Sequence, residues 1–531
     1  MVVPQLRPWQ AARPHVVRFA DAVRPRLART AATVRPRVAR LVRAVEPRLA
    51  RIPRTATART WQYTAGAATA GLALAAGVVT AAGPWDATGQ RTAERDRAAA
   101  LQRAGGADHG RTVGAAAGGP RPAPSAQAVL AGLGGATTTV KSAPGEKPLA
   151  DVLGPLLDAP ALGKNRTAAV VDVTTGARLY DTGGGKALTP ASTTKIATAV
   201  AALSALGADH RLTTRTALEP DTRELVLVGG GDPTLTAHPR ADGWASLRTL
   251  ATDTAEALKD RGIRQVTLSY DTTLYTGPEL HPIGVNDNLA PVSALTADEG
   301  RTDGSSSGPV ARVTDPAADA ARKFAGFLEA AGVKASAPGP SKATGRATTL
   351  ATVASPPLSA VVERMLTNSD NDIAEALARQ TAVATGLPAG FTGASQAVAA
   401  QLKRLGLPTA GAVFHDGSGL DRADRLSADL LTALLAKAGS PTRPDLRPVL
   451  TGLPVAAFTG TLSTRFADGA AGVVRAKTGT LTGVNALAGT VVDRDGRLLA
   501  FAFLASGTTG PEAAQAALDH AASALAGCGC G

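Results

Sequence analysis

The sequence predicts an α+β domain that carries a long insertion and follows a single membrane-spanning helix. Three observations carry the prediction. Strand-like segments lie at both ends of the stretch 147–527, at 167–173 and again at 473–504, with helical patterns between them, so one sheet is assembled from both ends of the domain. Two short polar motifs are separated by 173 residues, far more than a helix-to-loop connection needs. The 20 residues from Thr64 to Gly83 carry no charge, enough to cross a hydrocarbon core of about 30 Å.

The N-terminal tail comes first in the chain. Residues 1–60 hold 14 Arg against 2 acidic residues, whereas the other 471 residues carry 42 basic and 41 acidic groups. The net charge of +13 therefore belongs to one tail. Four 11-residue units align there, at 13–23, 24–34, 35–45 and 46–56, each with Val or Leu at its fourth position (Val16, Leu27, Val38, Leu49) and Pro at its second (Pro14, Pro25, Pro36, Pro47). Eleven residues make three helical turns, and proline interrupts them once per unit. Two readings follow: short basic amphipathic segments on an anionic lipid surface, or a solvated Arg-rich tail. Nucleic acid is not an expected partner, because Trp9 and Phe19 alone interleave with the basic groups.

Residues 61–83 read as the transmembrane anchor, with Trp61, Tyr63 and Trp85 at its ends. The Arg-rich side precedes it, which places the N-terminus in the cytoplasm and the remainder outside. Cleavage near Ala81 and secretion is the rival reading, but a 60-residue charged lead is too long for a signal-peptide n-region. Residues 84–146, rich in Gly, Ala, Pro and Thr without a period, read as a flexible linker.

The folded domain is expected over 147–207 and 353–527. A helix near 149–157 leads into a strand at 167–173, a turn at Thr175–Gly176 and a return strand at 178–180. Pro190 precedes a helix from Ser192 to about Leu206. At the far end, a strand at 473–477 is followed by a hairpin, 486–492 with 497–504, turning at Asp495–Gly496, and a closing helix over 511–525. Residues 208–352 read as an inserted domain with strands at 224–227 and 265–268 and helices at 244–261 and 316–331; its Gly/Ser-rich stretch 297–309 is expected to be a mobile loop. Residues 528–531 are a tail. Its Cys528 and Cys530 permit no internal disulfide framework, and read either as a redox or metal tail or as a frayed end. The seven histidines form no ligand spacing, so no metal and no cofactor is expected.

Three motifs in one order carry chemistry: S-T-T-K at Ser192–Lys195, S-D-N at Ser369–Asn371 and K-T-G at Lys477–Gly479. A serine hydroxyl is a poor nucleophile without a base, and a helix puts Ser192 and Lys195 on one face. Lysine acts as a base only when burial or nearby cations lower its pKa. If their segment is extended, Ser369 and Asn371 point one way. Ser369 then relays a proton between Lys195 and the leaving group, and Asn371 donates to a substrate amide. Alternatively, they are helix caps. Lys477 at a strand end places a fixed cation for a substrate carboxylate and depresses the pKa of Lys195; Thr478 and Thr480 offer hydroxyls, and Gly479 permits close approach. The backbone N–H groups of Ser192 and Thr480 are candidate oxyanion-hole donors. The bland alternatives are a solvated lysine on an ordinary helix and an ordinary strand end before a turn.

The trio resembles that of penicillin-binding proteins and class A β-lactamases. Further segments, L-V-G-G-G-D-P-T-L at Leu227–Leu235, D-G-S-G-L at Asp416–Leu420 and G-T-L-S-T-R-F with V-R-A-K-T-G-T-L within Gly460–Leu481, are similar to those of class C low-molecular-mass penicillin-binding proteins, the D-alanyl-D-alanine carboxypeptidase/endopeptidase family. The likeness spans about 147–527. It implies the penicillin-binding-protein/serine β-lactamase-like transpeptidase fold. It also implies attack on the penultimate D-Ala carbonyl of a peptidoglycan stem peptide, and inhibition by β-lactam antibiotics. The insertion is that family's mark, although here it is shorter than the two-subdomain inserts of some relatives. A β-lactamase is the rival reading, but no E-x-x-L-N-type segment follows Asn371. A silent penicillin-sensing or wall-binding module is opposed by the intact Ser192, Lys195, Ser369, Asn371 and Lys477.

Overall fold

The computed structural model describes residues 149–466 and 469–529. The basic tail, the anchor and the linker expected at 1–146 lie outside the described residues, and no helix among those described is long and apolar enough to cross a membrane.

Helix α1 (Leu149–Leu157) opens the chain, followed by β1 (Asn165–Asp172) and β2 (Arg178–Thr182). Helix α2 (Thr194–Leu206) leads into the insert, which contains β3 (Thr213–Leu218), β4 (Glu224–Val228), α3 (Leu247–Lys259), β5 (Gln265–Asp271), α4 (Pro316–Ala330), the short β6 (Lys334–Ala335) and β7 (Gly339–Pro340), and β8 (Thr348–Ala354). Four longer helices follow, α5 (Leu358–Asn368), α6 (Asn371–Thr385), α7 (Phe391–Arg404) and α8 (Ala428–Gly439), then the single turn α9 (Pro448–Thr451). Strands β9 (Val474–Leu481), β10 (Val484–Val492) and β11 (Leu498–Ser506) and helix α10 (Pro511–Ala526) close the domain.

The main sheet has the order β2-β1-β11-β10-β9 and every pairing is antiparallel. Both of its faces are covered, and β11 shows why its sequence reads as an unbroken apolar run. Ala500, Ala502 and Leu504 face a core shared with α2, α5, α6 and α8. Phe501, Phe503 and Ala505 face a second core under α1 and α10. Alternation of period two sends successive side chains into different layers, as in any strand buried on both sides.

The insert has a mixed sheet, β6-β5-β4-β3-β8, in which β4 and β5 are parallel and β3 pairs antiparallel with β4 and β8. A core of its own, including Leu225, Leu250, Leu258, Phe324 and Leu328, lies between this sheet and α3 and α4. Its last strand runs to Ala354, two residues beyond the expected boundary.

Two local expectations need correction. The stretch 297–309 is pinned at its start. Glu299 and Arg301 are both buried, Arg301 Nε donates to Glu299 Oε2 at 2.7 Å, and Arg364 of α5 donates to Glu299 Oε1 at 3.3 Å. Buried ion pairs of this kind anchor a loop that composition alone reads as loose. At the C-terminus, Cys528 is buried in the second core and disulfide-bonded, and its carbonyl accepts from Arg494 N–H at 3.0 Å. The end is therefore held down as far as Cys528 rather than frayed; Cys530 lies outside the described residues.

Candidate active site

The first motif sits on a strained turn. Ala191–Thr193 form a 3₁₀ turn, and the α-helix starts only at Thr194, two residues later than the pattern predicts. Ala191 has φ of 48°, a left-handed conformation costly for alanine, and is fully buried. The turn is held by the close approach of two other segments. A Cβ on Gly479 would meet Pro190 O at 2.6 Å, and one on Gly419, itself left-handed at φ +81°, would meet Ala191 O at 2.0 Å. Only glycine lets β9 and the 416–420 loop press against the backbone that presents Ser192.

Lys195 is fully buried one helical turn along. Its Nζ lies 3.2 Å from Ser192 Oγ, 2.6 Å from Asn371 Oδ1 and 2.7 Å from the Ser418 carbonyl. Burial lowers its pKa to about 8, against the opposing pull of Asp416, Glu375, Asp370 and Asp372. A lysine in that range can give and take a proton near neutrality.

The second motif is a helix–helix junction and not an extended segment. Ser369 ends α5 in the left-handed region, at φ of 57°, and Asn371 begins α6. The cap is Asp370, whose side chain accepts from Ile373 N–H at 3.0 Å, so neither Ser369 nor Asn371 caps the helix. Asn371 reaches Lys195 and also donates from Nδ2 to the Asn288 carbonyl of the insert at 2.9 Å. One amide hydrogen is thus engaged and one is left. Ser369 lines the cleft, but among the described residues its hydroxyl has no hydrogen-bond partner, and it does not touch Lys195.

The third motif lies inside β9, which continues to Leu481, and not at a strand end. Lys477 is fully buried and donates to the Thr478 carbonyl at 2.9 Å. Burial holds its pKa well below the ordinary value, and Lys195 and Arg465 push it further down. The lowering of Lys195 comes from burial. Strand alternation puts Thr478 on the other face from Lys477, and its Oγ1 donates to Thr461 Oγ1 at 3.0 Å. Thr480 shares a cleft of about 280 Å³ with Ser192, Ser369, Asn371 and Leu420. A cavity of about 210 Å³ on the insert side shares Arg301 with this cleft but contains none of the motif residues.

Four residues outside the motifs complete the buried side of the cleft. The Glu375 carboxylate accepts from the N–H groups of Gly417 and Ser418, at 3.0 and 2.8 Å. Asp416 accepts from Gly419 N–H at 2.6 Å and Asp421 N–H at 2.7 Å. His281 of the insert meets Asp416 Oδ2 at 3.1 Å. Glu375 was findable in the sequence, one helical turn beyond Asn371, and Asp416 and Ser418 from the glycines that flank them; nothing local marks His281. Among the described residues, two groups have ligand-like spacing for a cation, His281/Glu375/Asp416 and Glu299/Asp370/Asp372. The first is engaged by backbone donors and the second by guanidinium groups, with Arg312 3.1 Å from Asp372 and Arg301 2.7 Å from Glu299.

A buried lysine against a serine on a strained turn, with a second buried lysine near enough to feel its charge, defines a serine acyl-transfer enzyme on an α+β fold. The model of the D-Ala-D-Ala carboxypeptidase 3 (S13) family matches residues 149–307 and 302–526, and the chain belongs to that family. It is similar to Carboxypeptidase DacB of Mycolicibacterium smegmatis, 40% identical over 73% of this chain and 86% of that protein. It is also similar to the D-alanyl-D-alanine carboxypeptidase of Actinomadura sp. (strain R39), 32% identical over 67% of this chain and 80% of that one. Among solved structures, penicillin binding protein 4 of Haemophilus influenzae aligns with a TM-score of 0.58 at 21% identity, covering 70% of this chain and 98% of that chain, and so shares the fold. The chain is a serine-type D-Ala-D-Ala carboxypeptidase.

Proposed function

We propose that the chain releases the terminal D-alanine of peptidoglycan stem peptides through an acyl-enzyme at Ser192, also cuts D-Ala-to-diamino-acid cross-links, and is inhibited by β-lactams. The observation that carries this reading is Lys195 Nζ, 3.2 Å from Ser192 Oγ, with a pKa lowered to about 8. In the acylation step, neutral Lys195 takes the Ser192 proton as Oγ attacks the penultimate D-Ala carbonyl. The backbone N–H groups of Ser192 and Thr480 receive the developing oxyanion. The Lys195 ammonium gives the proton up to the departing D-alanine amine, with Ser369 relaying it once bound substrate brings its hydroxyl to Lys195, and Asn371 orients the peptide with its remaining amide hydrogen. Lys477 provides positive charge for the substrate carboxylate, assisted by Thr480, with Thr478 held back by Thr461 to brace the strand and Gly479 keeping it close. Water then cleaves the ester.

The uncharged run 64–83 after an Arg-rich tail supports a single-pass membrane anchor with the enzyme on the outer side, where its wall substrate lies. The H. influenzae protein has been solved with a β-lactam bound, in keeping with the inhibition proposed here. Incubation with purified muropeptides, read by mass spectrometry, tests the reading. Loss of one D-alanine from pentapeptide stems, and monomers appearing from cross-linked dimers, are expected. Absence of both products from enzyme that still labels with penicillin would overturn it.

A further inference from the structure

We infer that His281, a residue of the insert, is a positioning residue for the catalytic lysine: it fixes Asp416 and, through it, the Ser418 carbonyl that holds Lys195. This rests on the reading of Lys195 as the base for Ser192. The chain of contacts is continuous. Lys195 Nζ donates to the Ser418 carbonyl at 2.7 Å, Ser418 Oγ donates to Asp416 Oδ2 at 3.3 Å, and His281 Nε2 lies 3.1 Å from that same oxygen. The backbone around it is tied on both sides. Asp416 also gathers the Gly419 and Asp421 N–H groups, while Glu375 gathers those of Gly417 and Ser418. The carbonyl of Ser418 thus has its direction set by two carboxylates, and His281 is the donor that reaches the outer one from another part of the chain.

The ring itself is held from three sides. Ile283 N–H points at Nδ1 at 3.2 Å, so Nδ1 accepts and Nε2 carries the hydrogen to Asp416. Phe391 of α7 meets the ring edge-on at 5.1 Å, and Arg379 of α6 stacks over Phe391 at 4.6 Å. The charged groups that face His281 are Asp416 and Asp421 of the loop and Glu375 of α6. Burial opposes the imidazolium, and these carboxylates outweigh it, raising the His281 pKa. In either form Nε2 donates to Asp416. A histidine placed only to fill a core would not need both ring nitrogens engaged. The arrangement makes the insert part of the base's support, so that docking of the 275–283 segment onto α6 and α7 is felt at Lys195.

The test uses the full chain with His281→Leu, which removes the donor, and His281→Gln, whose amide can reach Asp416 but does not titrate. Penicillin acylation rates are measured against pH and referred to active-site-titrated enzyme, with Ser192→Ala as the unlabelled control. His281→Leu is expected to acylate about tenfold more slowly, as a displaced acceptor for the base would cause. Its acid limb should move to higher pH, because Asp416 without its donor bears more strongly on the Lys195 ammonium. His281→Gln should restore both. If the Leu variant does not accumulate folded, His281→Asn, too short to reach Asp416, replaces it. A full rate per titrated site, a limb that stays or moves to lower pH, or a Gln variant no better than Leu would each overturn the proposal. Labelling of Ser192→Ala would instead remove the acyl-enzyme reading on which it rests.

Discussion

Lys195 and Lys477 are the same residue type and both fully buried, yet their surroundings are opposite. Lys195 has three fixed acceptors between 2.6 and 3.2 Å and four carboxylates in its neighbourhood, which partly offset burial and leave its pKa at about 8. Lys477 has a single carbonyl within reach, and its charged neighbours are Lys195 and Arg465, so burial goes unopposed. Burial alone therefore does not assign a role. Neighbouring elements place carboxylates around one lysine and cations around the other.

The largest effect should come from the group that the base serves. Ser192→Ala is expected to abolish the covalent penicillin adduct, while peptide mapping of the wild type places the mass on the segment containing Ser192. An adduct on another serine would break the pairing of Lys195 with Ser192. Next is the turn that holds the pair together. Gly419→Ala puts a Cβ about 2.0 Å from Ala191 O in a left-handed conformation. Backbone strain should cost about 1–3 kcal/mol of stability, and displacement of Ser192 should slow acylation by about 10²-fold. Chemical denaturation and stopped-flow labelling would measure both, and unchanged acylation would mean that the loop does not set the turn.

On the other side of the comparison, Lys477→Ala should lose about 10²-fold in kcat/KM on free-acid peptides, the usual cost of removing a charged contact. Lys477→Arg should retain more. Amidated peptides should react poorly with the wild type and be little affected by either substitution; equal turnover of acid and amide would remove the carboxylate role. The smallest effect concerns pH. Acylation needs neutral Lys195, so its rate should rise with pH through an acid limb near 8 and flatten above it. Because burial is the main cause of the lowered pKa of Lys195, Lys477→Ala should leave that limb in place. A limb raised by about one pH unit would restore the picture of a fixed cation acting on Lys195.

The insert invites a similar revision. The absence of a nucleophile–base pair within 208–352 leads to the expectation that a short linker could replace it with slow acylation kept. The structure shows Asn288 accepting from Asn371, His281 meeting Asp416, and Arg312 paired with Asp372. Removing these partners would leave buried carboxylates uncompensated, a change that typically costs about 3–5 kcal/mol per pair. Loss of the fold is then the expected outcome of that deletion.

Most of the architecture was legible in the sequence because it is written in local period and punctuation. The apolar run at 498–506, the Asp495–Gly496 turn and the amphipathic helices at 247–259 and 316–330 are each decided by neighbours a few residues apart. The trio of motifs singles out Ser192, Ser369 and Asn371, which line one cleft with Thr480, and Lys195, which is buried against Ser192. The electrostatics were not legible. That Lys477 is buried beside Lys195 and Arg465, and that His281 stands behind Lys195, depend on segments far apart in the chain meeting in space. Residue type and spacing are properties of the chain, whereas a pKa and the direction of a carbonyl are properties of what the fold packs around them.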